Sequence, residues 1–186
     1  MSIMFSQNKI NSMKLNGHKI VEGKLNGQVV FKFEGTPYMS LKIKVDNDHR
    51  FVIPFINGDY KDNLTNISIL WGDGTQTIID NGNVSPNSCF HEYASSGTYD
   101  ILIYSYDSKI PRFSFQEVDD YPVCLTEVNT PLLRMINLDG TTATNLEGIF
   151  YGASNLTYIP NNLFDNNTTA TNFSYCFYGA DNLGLK

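Results

Sequence analysis

The side chains best suited to acid–base, nucleophilic or metal chemistry in this chain are three histidines (His18, His49, His91), three cysteines (Cys89, Cys124, Cys176) and the aspartates near positions 73 and 119. No histidine stands at metal-ligand spacing to another histidine or to a cysteine. Asp73 can join Asp46, Asp48 or Asp80 around Ca²⁺, because a hard cation takes clustered oxygens. No EF-hand-type loop accompanies it, so turn stabilisation is the stronger reading and no cofactor is predicted. Asp119 and Asp120 are adjacent, and neighbours in an extended chain point to opposite faces. A glycosidase needs two carboxylates facing one bond, so this pair reads as a solvated linker. The Gly72-Asp73-Gly74-Thr75 run lacks the Gly-Lys-Ser/Thr of a phosphate loop. The residues thus predict a protein that is not an enzyme.

These residues sit among short strands. Residues 39–45 alternate, 50–55 form a short apolar run, 67–71 lead into the Gly-Asp-Gly turn, and 99–104 alternate again. Short strands with turn signals at this spacing predict a β-sandwich over 37–116. Gly72 and Gly74 permit a tight turn, and the Asp73 carboxylate can accept backbone N–H bonds there. Trp71, the only tryptophan, reads as core and not as a sugar platform. The stretch "ISILWGDGT…HEYASSGTYDILI" resembles the polycystic-kidney-disease-type (PKD) domain, through Trp71, Asp73 and Gly74 and then His91, Tyr93, Gly97 and Tyr99. The resemblance implies that these residues are a structural motif, with His91 and Tyr93 bracing the loop before the last strand. The insertion at 80–89 departs from that pattern and is expected to be a surface loop.

Residues 1–36 carry a smaller repeat, "KLNGHKIV" and "KLNGQVVF", ten residues apart. Asn-Gly between β-branched or alternating apolar residues is a strong hairpin signal. The spacing predicts strands ending at Leu15 and Leu25, with return strands at 19–21 and 28–32. A meander of two or three strands is not stable alone.

Residues 117–186 contain the strongest internal signal. "TTATNLEGIFYGASNL" begins at position 141 and "TTATNFSYCFYGADNL" at 168, 27 residues apart, with 11 of 16 positions identical. Periods of roughly 20–29 residues belong to leucine-rich-type solenoids, whose units stack to bury their apolar faces. Leu146, Ile149 and Phe150 have helical spacing, Thr144 with Glu147 has capping-box spacing, and Gly152 suits the left-handed position after a last turn. A short helix is therefore expected in each copy. Cys176 takes the place of Ile149 and reads as a small core hydrophobe. "CLTEVNTPLL" (124–133) matches "NLTYIPNNLF" (155–164) at an offset of 31 and reads as a degenerate first unit. These phrases resemble BspA-like leucine-rich-repeat surface proteins, of the kind seen in bacterial surface and prophage tail proteins. That resemblance implies surface display and adhesion.

The fold expected is mainly β: a hairpin meander (1–36), a PKD-like β-sandwich (37–116) and a short leucine-rich-type solenoid with short helices (117–186). Charged residues make up only 17% and the net charge is −6, without a basic cluster to track phosphates, so nucleic acid is not expected as a partner. No run approaches a membrane span. No signal peptide is read at the N-terminus, so the chain is expected to be made in the cytoplasm and, if phage-encoded, to reside in the virion or host-cell cytoplasm. Three widely spaced cysteines argue against a disulfide framework.

The function expected is non-enzymatic binding or structure, in a phage tail or baseplate or in surface adhesion. The alternatives are a prophage-encoded inhibitor of a host defence protein and a glycan-active enzyme accessory module. The partner expected is a protein or a surface glycan. Tyr151, Tyr158, Tyr178, Phe177 and Leu183 are the candidate contact residues. The apolar end formed by Phe173, Cys176, Phe177 and Leu183 is expected to be covered by self-association or by that partner.

Overall fold

A computed structural model describes residues 13–15, 18–25, 28–33, 36–46, 50–56, 58–59, 67–79, 83–84, 89–117 and 124–184. The chain divides into two compact units, Met1–Thr36 and Pro37–Lys186. The first is a three-stranded antiparallel sheet of β1 (Met13–Leu15), β2 (His18–Leu25) and β3 (Gln28–Phe33), in that order. Leu15 pairs with His18 and Leu25 with Gln28. The strands thus stop where the Asn-Gly pairs place them. The return strand β2 runs on to Leu25 and serves as the centre of the sheet.

The second unit is also mainly β. Its strands are β4 (Tyr38–Val45), β5 (Arg50–Val52), β6 (Gly58–Asp59), β7 (Ile67–Leu70), β8 (Gln76–Ile79), β9 (Asn83–Val84), β10 (Phe90–Glu92), β11 (Gly97–Ser105), β12 (Lys109–Pro111), β13 (Leu125–Val128) and β14 (Arg134–Ile136). Five of them form one antiparallel sheet in the order β13-β4-β11-β7-β8. β5 pairs with β10 and β6 with β9, both antiparallel, while β12 and β14 are parallel. No sheet among the described residues closes into a barrel.

The period of two explains the large sheet. In β4, Met39, Leu41, Ile43 and Val45 are all buried on one face. They pair with Ile103, Ile101, Tyr99 and Gly97 of β11, and Ile103 pairs in turn with Ile69 of β7. Strand neighbours on one face bury their side chains together, and a slip of one residue would turn this apolar set outward. Pro54 shortens the apolar run at 50–55. Proline has no N–H for a ladder, so β5 stops at Val52 and Phe55 returns only as a single bridge to Phe113.

Residues 37–116 and 117–186 share one core. β13, from the degenerate first unit, is the edge strand beside β4. Buried residues from both regions, Phe51, Phe113 and Phe115 with Leu146, Phe150 and Leu156, belong to a single cluster. Phe113 meets Phe115 and Phe150 edge-on at 6.1 and 6.3 Å.

The repeats differ from expectation in one respect. Residues 147–152 and 174–179 are successive hydrogen-bonded turns and not helices, and the one named helical element among the described residues is a 3₁₀ turn at Phe115–Glu117. The reason lies in the backbone bonds. Leu146, Gly148, Phe150 and Gly152 donate their N–H groups to Asn172, Ser174, Cys176 and Tyr178 of the next copy, at 2.7–3.0 Å. An amide committed to a neighbouring copy cannot close an α-helical turn within its own. Gly148 adds a second block, with φ +65° in mid-segment, the left-handed region that no right-handed helix contains. The capping box is likewise replaced. Asn145 Oδ1, one residue beyond Thr144, accepts the Glu147 N–H at 2.9 Å, and Asn172 does the same for Ser174. Gly152 and Gly179 have positive φ as their position in the repeat requires. The 31-residue offset is a real register as well: Thr157 N–H donates to Thr126 O, Val128 N–H to Tyr158 O and Leu132 N–H to Leu163 O, at 2.9 Å each.

Candidate functional site

Two places concentrate the residues singled out from sequence. The first is the turn after β7. Trp71 N–H donates to Thr75 O at 3.2 Å, closing a five-residue loop. Gly72 and Gly74 within it have φ +85° and +92°. A Cβ on Gly72 would also come within 2.7 Å of the Asp100 carbonyl, so this position excludes other residues twice over. Asp73 Oδ1 accepts the Thr75 N–H at 2.9 Å and the Thr75 hydroxyl at 2.6 Å. His91 Nε2 lies 2.8 Å from Asp73 Oδ2, and a carboxylate only accepts, so this nitrogen carries the proton.

Rings hold the loop from below. The His91 ring stacks on the buried Trp71 indole at 4.9 Å and meets Tyr93 edge-on at 4.5 Å, and Tyr93 stacks on Tyr99 at 4.1 Å. Trp71 Nε1 donates to the Thr77 hydroxyl at 2.9 Å, and the Tyr93 hydroxyl donates to Trp71 O at 3.0 Å. Tyr99 closes its own turn by donating to Ser95 O at 2.8 Å. Gly97 lies against the Tyr99 ring, where a Cβ would come to 3.4 Å. Burial raises the Tyr93 phenol well above its ordinary value, with the nearby Asp73 charge adding to it. Desolvation pushes the Asp73 carboxyl up, but the bonds from Thr75 and His91 outweigh it and hold the carboxyl below its ordinary value.

The Thr75, His91 and Asp73 trio resembles a nucleophile, base and orienting acid only in composition. In a working triad the acid holds one imidazole nitrogen and the nucleophile meets the other. Here Asp73 and Thr75 both meet Nε2, Thr75 at 3.3 Å, and the Thr75 hydroxyl is already given to Asp73. The bonds form a closed ring that braces the turn. Both Asp73 oxygens are used within it. Asp46 is exposed, and Asp48 and Asp80 lie outside the described residues, as do Asp119 and Asp120. Among the described residues, no three His, Cys, Asp or Glu side chains are grouped to hold a metal ion.

The second place is the outer end of the repeats. Phe164, Phe173, Tyr175, Cys176, Phe177 and Tyr178 line an open, largely apolar depression. Phe173, Tyr175 and Tyr178 are 40%, 58% and 60% exposed. Tyr178 stacks on Tyr151 at 5.0 Å and Phe177 on Phe150 at 5.5 Å. Tyr158 is half exposed but does not line this depression. Leu183 and Cys176 differ from the expected open end, since both are buried within their own chain. Leu183 N–H closes a turn onto Ala180 O, the counterpart of Leu156 onto Ala153. Burial pushes the Cys176 thiol up to about 12, so it remains a protonated core side chain.

Two structural residues were missed in sequence. Asn167 is 1% exposed. Its Oδ1 accepts the Met135 N–H at 2.9 Å and its Nδ2 donates to Leu133 O at 3.1 Å. In an asparagine-rich chain nothing local distinguishes it. Gly148 is the other. A Cβ there would meet Gln116 and Ser114 side-chain atoms at 2.6–2.8 Å. Its counterpart 27 residues on is Tyr175, also at positive φ (55°), with its ring exposed. Glycine set against tyrosine at equivalent places was the available signal that one copy has a close neighbour and the other does not. Comparison with protein-family models, with curated proteins and with solved structures gives no match.

Proposed function

We propose that the protein is a non-enzymatic binding and structural component, a PKD-like β-sandwich extended by leucine-rich-type repeats, in a phage tail or baseplate or in surface adhesion. On this reading the partner is a protein or a surface glycan, taken at the outer end of the repeats. The observation that carries the reading is the apolar depression with Phe173, Tyr175 and Tyr178 exposed around it. Exposed aromatic clusters on an otherwise polar surface mark interaction sites, and aromatic rings are enriched where binding energy concentrates. The closed Asp73–Thr75–His91 ring supports the non-enzymatic part, since its hydroxyl and carboxylate are spent on each other.

The test is retention of the purified chain on bacterial cell-surface preparations and on a glycan array, beside a Tyr175→Ser/Tyr178→Ser double variant. Retention by the parent that falls about tenfold or more in the variant, a loss typical of interface hot spots, is the expected outcome. Turnover of a glycan, peptide or phosphate substrate that disappears in His91→Ala would overturn the reading. Equal retention of both proteins would move the site elsewhere.

A further inference from the structure

Units of a solenoid ordinarily touch only their neighbours, so an array can gain or lose end units while the rest stays folded. Domains of one chain that behave independently meet through modest, polar interfaces. The boundary that the sequence places between 116 and 117 has neither property. On one side β13 is bonded to β4. Asn129 N–H donates to Ser40 O at 2.9 Å, Ser40 N–H to the Thr130 hydroxyl at 2.9 Å, and the Thr126 hydroxyl to Lys42 O at 3.1 Å. Lys42 Nζ lies 2.7 Å from Glu127 Oε2 on the same seam. On its other side β13 is bonded to the first good copy, with Thr157 N–H on Thr126 O and Val128 N–H on Tyr158 O at 2.9 Å each. The ladder of the large sheet therefore does not end at β13 but runs on into the repeats.

A second seam repeats the pattern. Arg112 N–H donates to Ile136 O at 3.0 Å, where β12 runs parallel to β14, and Ala143 N–H donates to Met135 O of that strand at 2.9 Å. The buried Ser114 hydroxyl donates to Gly148 O at 3.1 Å. Between the seams the packing is apolar: Leu125 and Val128 are fully buried, and Phe113 meets Phe55 on one side and Phe150 on the other. Taking β13 away would strip partners from Ser40 and Lys42 and leave β4 as a bare edge, the kind of edge that pairs with other chains. We infer that the sandwich and the first good copy are one cooperative folding unit, in which the repeats serve as the conformational clamp that closes the β4 edge. A disturbance in the repeats is then felt at the Trp71 turn, and a ligand that binds only the folded repeats stabilises that turn by the same linkage. The inference concerns the coupling and stands whether or not the outer end binds a partner.

The experiment is urea unfolding of the full chain read at two places. Trp71 is the only tryptophan, so its fluorescence reports the sandwich alone. The NMR signals of the Leu146 and Phe150 amides, bonded to Asn172 and Cys176 of the next copy, report the repeats. The expected result is one shared midpoint, since coincident transitions at separate probes mark a single cooperative unit. Two domains of equal stability would coincide as well, so variants decide. Asn167→Ala, which acts inside the repeats, should lower the Trp71 midpoint and the amide midpoint by the same amount. Leu156→Ala, a cavity at a fully buried repeat position, should shift both together by a second route. Asp73→Ala should do so from the sandwich side. Separate midpoints in the parent overturn the inference. So does an Asn167→Ala or Leu156→Ala chain whose amide midpoint falls while that of Trp71 stays. A variant too damaged to fold is also decisive. Loss of both signals without urea supports the coupling, and native Trp71 emission beside lost Leu146 and Phe150 signals sinks it.

Discussion

The turn around Trp71 and the stacked repeats solve one problem in opposite ways. Each must hold irregular backbone whose own amides cannot all pair locally. In the turn, side chains do the work: Asp73 and Thr75 bond within the turn, and His91 and Tyr93 reach it from the β10 region to bond Asp73 and the Trp71 carbonyl and to pack against one another, with His91 stacked on Trp71. In the repeats, backbone pairs with backbone across 26 residues, and asparagine side chains supplement the ladder, as at Asn145, Asn172 and Asn167. The first arrangement is complete in itself. The second leaves the amides of Phe173, Tyr175, Phe177 and Gly179 without a backbone acceptor among the described residues. A closed network therefore reads as structure and the exposed aromatic end as a place to bind.

The comparison predicts where substitutions should hurt. Asn167→Ala should be the most damaging. It leaves the buried Met135 N–H and Leu133 carbonyl without partners, at about 1–3 kcal/mol each, so a loss of roughly 2–5 kcal/mol in chemical denaturation is expected. A loss below about 1 kcal/mol would show that the ladder tolerates gaps. Gly148→Ala comes next. It combines a left-handed backbone, about 1–2 kcal/mol, with contacts under 3 Å to Ser114 and Gln116, about 1–3 kcal/mol of overpacking. Tyr175→Gly, at the equivalent place, has no such neighbour to relieve and should change stability by less than about 1 kcal/mol. Equal effects at the two positions would break the contrast between a covered copy and an open one.

Asp73→Ala should cost roughly 1–3 kcal/mol, the penalty of stripping partners from Thr75 and His91. The pH dependence sharpens this. Asp73 is held below its ordinary value of 3.8 when folded. A carboxyl depressed in the folded state contributes stability that is present above its unfolded pKa and is lost as pH falls through the folded value. The stability difference between the parent and Asp73→Asn should therefore shrink as pH drops below about 4, the ordinary carboxylate range. Asp139, which the Thr141 hydroxyl and N–H hold below its ordinary value, remains in both proteins and cancels. A difference that stays constant from neutral pH into that range would mean that the Asp73 charge does nothing for the turn. The smallest effect is expected from Tyr178→Ala, which loses a stack on Tyr151 and an edge contact with the exposed Tyr175 and should cost about 0.5–1 kcal/mol. A large loss of stability there would make the aromatic end part of the core and not a surface.

The particular residues show which features could be read without coordinates. The Asn-Gly pairs placed the ends of β1 and β2, because hairpin geometry is a two-residue property. Alternation placed β4 and β11, since strand faces repeat every second residue. The 27- and 31-residue offsets are the registers in which the copies bond. The Gly-Asp-Gly turn was predicted with Asp73 as a backbone acceptor, and Asp73 accepts one backbone N–H together with a hydroxyl and a histidine. The helices expected in the repeats went the other way. The spacing of Leu146, Ile149 and Phe150 suits a helix equally well, and only the position of the next copy diverts the amides out of it.

By itself, then, the sequence determined what depends on near neighbours and on periodicity: strand ends, the faces of the main sheet, the glycine turns and the match between copies. Only the tertiary structure decided which groups those elements bring together from a distance. It made β13 an edge strand beside β4 and merged the two regions into one core. It buried Leu183, singled out Asn167 among many asparagines and left four amides of the last described copy unpaired. The physical reason is that a hydrogen bond is satisfied by position and not by residue type. Whether a given amide has a partner depends on chain dozens of residues away.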